Sequence, residues 1–167
     1  AGITAGPDGN IYFTESNRDR IGRINLATFV ITESSAMGGG SDPRGITTGP
    51  DGALWFAEGT DDKIGRITTA GVVTEFPIPT AGASPPAIVV GPDGALWFTE
   101  TNGRKIGRIT TAGAITEFGA LTSPPGGITV GPDGNLWFSS AAKVGRITAS
   151  GVVTEFTPAI SPYAGSV

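Results

Sequence analysis

The chain contains no histidine and no cysteine. The second absence excludes disulfides and thiol chemistry. The first removes the commonest general base and the commonest transition-metal ligand together. Any chemistry has to run on carboxylates, lysine, tyrosine, hydroxyls or a hard metal ion. Charge is sparse too, at 16% of residues, while apolar residues make up 38% and suffice for a core; a disordered chain has the opposite balance. Eleven Lys and Arg stand against fifteen Asp and Glu, a net charge of -4. The basic patch that a phosphate backbone selects is missing, so no nucleic-acid partner is expected. No run of about 18 apolar residues occurs, so no membrane span is expected. The sequence opens at Ala1 with neither an initiator Met nor a signal peptide, which reads as a processed product or an excised piece. Its cysteine-free composition, rich in Thr, Gly and Pro, is compatible with a secreted bacterial protein. Nucleophile-elbow, P-loop, zinc and EF-hand patterns are all absent.

What the chain does have is a repeat. Gly-Pro-Asp-Gly occurs at Gly6, Gly49, Gly91 and Gly131, spaced 43, 42 and 40 residues apart. Periods of this length belong to four-stranded propeller blades or to paired helices. With 27 Gly and 13 Pro spread along the chain, no helix-length window is left unbroken.

In the second copy, Gly45–Thr48 reads as a short strand. Gly-Pro-Asp-Gly follows as a tight turn, with Pro fixing φ and the last Gly free to take positive φ. Ala53–Glu58, Lys63–Thr68 and Val72–Phe76 read as three further strands. The fold expected is therefore all-β: a propeller of four-stranded antiparallel blades, four in this chain. The blades fall at about 1–42, 43–84, 85–123 and 124–160. The second strand is apolar at consecutive positions (Leu54-Trp55-Phe56, Leu96-Trp97-Phe98, Leu136-Trp137-Phe138), which marks a sheet covered on both faces. Trp55, Trp97 and Trp137 are expected in the core between blades.

Residues 161–167 align with the linker and first strand of a blade, although Ala1–Ala5 already supplies a first strand for the first copy. The chain thus runs toward a blade it does not finish. A closed four-bladed ring, an eight-bladed ring of two chains, and a piece of a longer propeller all fit. Exposed blade faces are association hazards, which favours a homodimer or missing blades over a closed monomer.

Two residue sets recur. Glu15, Glu58 and Glu100 end the second strand of the first three copies and face Arg20, Lys63 and Lys105 across a loop. They form either a ring of ligand- or metal-binding carboxylates or simple ion pairs, and repetition favours ion pairs. The fourth copy, Ser139-Ser140-Ala141-Ala142-Lys143, is shorter by two and lacks the Glu. Arg23, Arg66, Arg108 and Arg146 are expected to pair with the fourth-strand Glu33, Glu75, Glu117 and Glu155. Asp8, Asp51, Asp93 and Asp133 are expected to accept local backbone N–H bonds in their turns. Ligand contacts are sought where the copies differ: Tyr12, the insertion around Asn25–Phe29, the Met37–Gly40 linker, Arg44 and Tyr163.

The pattern Gly-Pro-Asp-Gly-x-Leu-Trp-Phe-x-Glu, then Lys-Ile-Gly-Arg-Ile-Thr, then Val-Val-Thr-Glu-Phe resembles the repeat of the streptogramin B (virginiamycin B) lyase family over essentially the whole chain. That resemblance implies a propeller, normally of seven blades. It also implies a Mg²⁺-dependent elimination that opens the ester of a cyclic depsipeptide antibiotic on the loop face, with a histidine base. The family's Pro-His-Ala-Ile type of segment corresponds here to Pro43-Arg44-Gly45-Ile46, Pro85-Pro86-Ala87-Ile88 and Pro125-Gly126-Gly127-Ile128, none with a histidine. A Glu could substitute only if burial raised its pKa toward neutrality. The expectation is a non-catalytic propeller scaffold that binds a small-molecule or peptide ligand or partner on its loop face, or self-assembles. Glu15, Glu58, Glu100, Arg44, Lys63, Lys105 and Tyr163 are the candidate contacts. The alternative is a Mg²⁺-dependent lyase lacking its usual base.

Overall fold

A computed structural model describes residues 1–34, 37–141 and 143–157. Sixteen strands among them form four antiparallel sheets. Blade 1 holds β1 (Ile3–Ala5), β2 (Ile11–Glu15), β3 (Arg20–Ile24) and β4 (Ile31–Glu33). Blade 2 holds β5 (Pro43–Thr48), β6 (Leu54–Glu58), β7 (Lys63–Ile67) and β8 (Val73–Pro77). Blade 3 holds β9 (Ile88–Val90), β10 (Leu96–Glu100), β11 (Lys105–Ile109) and β12 (Ile115–Phe118). Blade 4 holds β13 (Pro125–Val130), β14 (Leu136–Ser140), β15 (Val144–Ile147) and β16 (Val153–Phe156). Each sheet runs in simple sequence order, as hairpin-connected strands must. One 3₁₀ turn, Ser16–Arg18, is the only helix among the described residues, so none is long and apolar enough to cross a membrane.

The Gly-Pro-Asp-Gly turn sets each first hairpin. In blade 2 the N–H of Gly52 donates to the carbonyl of Gly49 at 3.2 Å, and Gly52 sits at φ 72°, where a side chain would be strained. The turn aspartate does more than close the turn. Asp51 accepts the Trp55 indole N–H at 3.0 Å and the Arg66 Nε–H at 2.7 Å, and Asp93 binds Trp97 and Arg108 likewise at 2.9 and 2.6 Å. Burial alone would raise the Asp51 and Asp93 carboxyls, but these bonds outweigh it and hold both below the usual range.

This corrects one expectation. Arg23, Arg66 and Arg108 pair with Asp8, Asp51 and Asp93, not with the fourth-strand glutamates. The reason is the two-residue period of a strand. Glu75 lies opposite Gly65, one position from Arg66, so their side chains project from opposite faces of the sheet.

Blades stack face to face. Leu54 and Phe56 of β6 join Tyr12, Ile21, Met37 and Ile46 in one cluster toward blade 1. Trp55 and Ala57, on the other face, join Leu96, Phe98 and Ile109 toward blade 3. Trp97 meets Leu136, Phe138 and Ile147 of blade 4. Bonds between blades add direction: the Thr14 hydroxyl donates to the Arg44 carbonyl at 2.8 Å, and that of Thr99 to the Gly126 carbonyl at 2.7 Å.

The stack is an open arc. Neighbouring blades touch through their first strands (β1 with β5, β5 with β9, β9 with β13), while among the described residues no strand of blade 1 packs extensively on one of blade 4. Trp55 and Trp97 are completely buried, but Trp137 is only half-buried, because no blade covers that side of blade 4. Ile3, on the free side of blade 1, is 70% exposed. The aligned segment 161–167 lies outside the described residues.

The two tryptophans give a direct test. Trp97→Ala should cost about 3–5 kcal/mol, as for a large side chain deleted from a closed core. Trp137→Ala should cost clearly less, since part of its surface is already in water. Urea unfolding of the two variants checks this, and equal losses would mean that the outer face of blade 4 is covered.

Candidate functional site

The loops joining second to third strands lie at one end of the arc, and the sequence places its carboxylates there. They close through residues in the left-handed region: Asp19 at φ 52°, Asp62 at φ 53° and Arg104 at φ 51°. Asp19 then reaches into the linker to blade 2, accepting the N–H groups of Gly40 at 2.8 Å and Asp42 at 2.9 Å. Asp62 repeats this toward blade 3, accepting those of Gly82 at 2.6 Å and Ser84 at 3.0 Å. These latches fix how one blade leads into the next. The sequence signal is an acidic residue at the same loop position in the first two copies, Asp19 and Asp62.

Glu58 and Glu100 are fully buried, and all four of their carboxyl oxygens are without a hydrogen-bond donor. Cross-strand register puts Glu58, Lys63 and Glu75 on one face, that of Phe56 and Gly65. Gly65 is required there: a Cβ would stand 2.1 Å from the Phe56 ring and 2.7 Å from the Glu58 carboxyl. Lys63 and Lys105 do not pair with Glu58 and Glu100, as simple ion pairing would have it. The Lys63 ammonium binds Glu75 at 3.1 Å and Asp61 at 3.5 Å. That of Lys105 binds Glu117 at 2.9 Å and the Thr80 hydroxyl at 2.7 Å. Arg20 pairs with Glu33, and Lys143 approaches Glu155 at 3.8 Å. The fourth-strand glutamate is the charged partner in every blade.

The second-strand glutamate is thus left as a buried acid beside a carboxylate. Burial first, then the Glu75 charge, pushes Glu58 up to about 8. Burial and Glu117 push Glu100 up to about 7. Protonated, each carboxyl can donate to the neighbouring carboxylate, giving an acid–carboxylate–ammonium chain in blades 2 and 3. Ser140 takes the glutamate's place in blade 4, opposite Pro125 as Glu58 is opposite Pro43. Its hydroxyl donates to the Lys143 carbonyl at 3.1 Å.

The remaining candidates separate. Glu15 is only half-buried, since among the described residues no blade covers that face of blade 1. It lines the loop-face opening of about 450 Å³ with Thr14, Ser16, Asn17 and Arg18. Arg44 is held by Asp42 at 2.8 Å and by the Ser84 hydroxyl at 3.2 Å, with its guanidinium against Gly59. A third of its side chain remains exposed. Tyr163 lies outside the described residues. Tyr12 and Met37 are buried, not exposed ligand contacts; the Tyr12 hydroxyl donates to Asp8 at 3.0 Å, as the tryptophans do to theirs. Among the described residues no three acidic side chains converge to hold a metal ion. Glu58 and Glu100 are sealed from solvent, so neither is placed to ligate a Mg²⁺ ion.

The buried acids make stability depend on pH. The folded chain keeps protons on Glu58 and Glu100 to about pH 8 and 7, whereas an unfolded glutamate releases its proton near 4.5. Between those values the folded state holds more protons. This contribution is complete below pH 4.5 and is lost as the pH rises through the folded values. Glu58→Gln with Glu100→Gln stays neutral throughout. Thermal melts between pH 5 and 9 should show the double variant with a flatter profile and a higher Tm at the alkaline end. A wild-type-like slope would contradict burial of the acids.

Comparison with known proteins extends the picture. The sequence matches the virginiamycin B lyase family over residues 1–164. Selenomethionine-substituted virginiamycin B lyase from Staphylococcus aureus superposes at TM-score 0.91 and 45% identity, over 95% of this chain and 55% of that one. A catalytically inactive histidine-to-alanine variant of that lyase, solved with quinupristin, gives 0.90 and 45% over 94% and 55%. A streptogramin B lyase gives 0.88 and 37% over 95% and 54%. No curated protein matches. The chain spans about half the length of these solved relatives. By sequence and by fold alike, it belongs to the virginiamycin B lyase family.

Proposed function

We propose that these four blades are a non-catalytic scaffold of a streptogramin B lyase-type propeller, offering a loop face to a small-molecule or peptide ligand without contributing the proton acceptor. One observation carries this reading. The chain has no histidine, and its two carboxyls of near-neutral pKa are fully buried. A general base must come within about 3 Å of the proton it takes. The burial that tunes Glu58 and Glu100 is the same burial that keeps a substrate from them. In the S. aureus relative, a single histidine-to-alanine change accompanies catalytic inactivity.

The same pKa values favour a second reading. A glutamate near pKa 7 has the right poise for base catalysis at neutral pH, and a loop movement exposing Glu100 would supply the acceptor for a lyase. Quinupristin incubated with the chain and Mg²⁺, with mass spectrometry for the linear product, separates the two. The scaffold reading expects a rate equal to buffer. Turnover lost in Glu100→Gln would establish the lyase.

Ring completion is part of the proposal. In blades 3 and 4 the turn between third and fourth strands carries a glycine packed on the preceding blade: a Cβ at Gly151 would stand 2.3 Å from the Phe118 ring. Blade 1 carries Phe29 in that turn, left-handed at φ 57° and 76% exposed. A second copy docking its blade 4 on blade 1 would bring Phe156 against Phe29. This favours completion by further blades with a small residue at that position over the head-to-tail homodimer. Sedimentation should then show no stable species at twice the 16.8 kDa chain mass. A discrete dimer would favour the two-chain ring.

A further inference from the structure

In blades 2, 3 and 4 the outer strand carries a phenylalanine stacked on the second-strand tryptophan. Ring centroids lie 5.5, 5.4 and 5.6 Å apart for Trp55–Phe76, Trp97–Phe118 and Trp137–Phe156. The next blade closes over the first two of these rings. A Cβ on Gly113 would stand 2.2 Å from Phe76, as one on Gly151 would from Phe118 at 2.3 Å.

Blade 1 departs at both rings. Tyr12 stands where the others have tryptophan, and Ser34 stands where they have phenylalanine. The Ser34 hydroxyl accepts the Ile21 N–H at 3.1 Å, the strand position that faces Phe76 as Ile64 in blade 2. Yet Gly71 of the following turn is kept, with nothing within 4 Å of its missing Cβ. The result is a cavity of about 190 Å³ between blades 1 and 2. Tyr12, Ile21 and Ile67 form its buried floor, and Thr32, Thr69 and Gly71 its exposed rim.

One polar group is left over inside. Arg66 and Arg108 give Nε to their turn aspartates. Arg23 reaches Asp8 through Nη2 instead, at 3.1 Å, on an oxygen that also accepts the Tyr12 hydroxyl and the Asn10 amide N–H. The Arg23 Nε is buried with no acceptor, as is that of Arg146 in blade 4, a costly state for a charged donor.

We infer that this cavity binds a single aromatic ring bearing a hydrogen-bond acceptor, seated beside Gly71 where the other blades place their own phenylalanine. A cavity of about 150 Å³ suffices for benzene. The acceptor satisfies Arg23 Nε. The cavity lies at the turn end of the blades, opposite the Glu15, Glu58 and Glu100 loops, so it is independent of any loop-face function.

The test is a titration of the chain with p-cresol, toluene and the peptide Gly-Tyr-Gly, followed through the methyl signals of Ile21 and Ile67. p-Cresol should bind with Kd of about 1 mM and shift both methyls. Toluene, lacking the acceptor, should bind roughly tenfold more weakly. Ser34→Phe supplies the missing ring and should abolish binding while holding or raising Tm. Arg23→Lys removes the Nε donor and should erase the difference between p-cresol and toluene. Binding of the peptide as tight as that of p-cresol identifies a protein side chain as the source of the ring; binding of p-cresol alone identifies a free small molecule. No shift up to about 20 mM p-cresol, or binding unchanged in Ser34→Phe, overturns the assignment.

Discussion

Face-to-face packing of one blade on the next is the constraint on which the rest of this structure depends. A four-stranded blade is too thin to bury its own apolar side chains. Each second strand therefore carries large residues on both faces, and neither face is satisfied without a neighbour. Trp55 and Phe56, adjacent in sequence, belong to cores on opposite sides of one sheet. The repeated polar residues serve the same end. Asp51 and Asp93 orient the tryptophans, and Asp19 and Asp62 hold the linkers. Glu58 becomes a buried acid on the face of Phe56, the face that packs on the preceding blade.

Much of this was legible in the sequence, for identifiable reasons. The 40-residue period, the turn chemistry and the doubly apolar second strand each have one physical reading, and they agree on a propeller. Side-chain partners were harder. The Gly-Arg-Ile arginine was matched to a glutamate by charge alone, whereas the two-residue period sends them to opposite faces. Lys63 and Lys105 were matched to the nearest acid in register. Depth decides instead: the outer Glu75 and Glu117 remain partly in water and bind the ammonium groups, while Glu58 and Glu100 are sealed and their carboxyls pushed up. Trp137 reads like its two counterparts in sequence and differs only because nothing covers it.

Regularity and function pull in opposite directions here. A residue kept in all blades is explained by stacking, so its repetition carries no chemical message. The informative positions are those where one blade breaks the pattern while its surroundings keep it. Ser140 replaces a glutamate and its loop shortens, which is compensated locally by a bond to Lys143. Tyr12 and Ser34 replace both partners of an aromatic stack while Gly71 still makes room for the missing ring. The family relationship fixes the architecture.

The central claim is that neighbouring blades seal the second-strand acids away from water and from any substrate. Carbon-detected NMR titration of the glutamate side chains measures this directly. The account predicts that Glu58 and Glu100 titrate far above their ordinary 4.5, near 8 and 7. Midpoints near 4.5 for both would show that the carboxyls are open to solvent, and would contradict it.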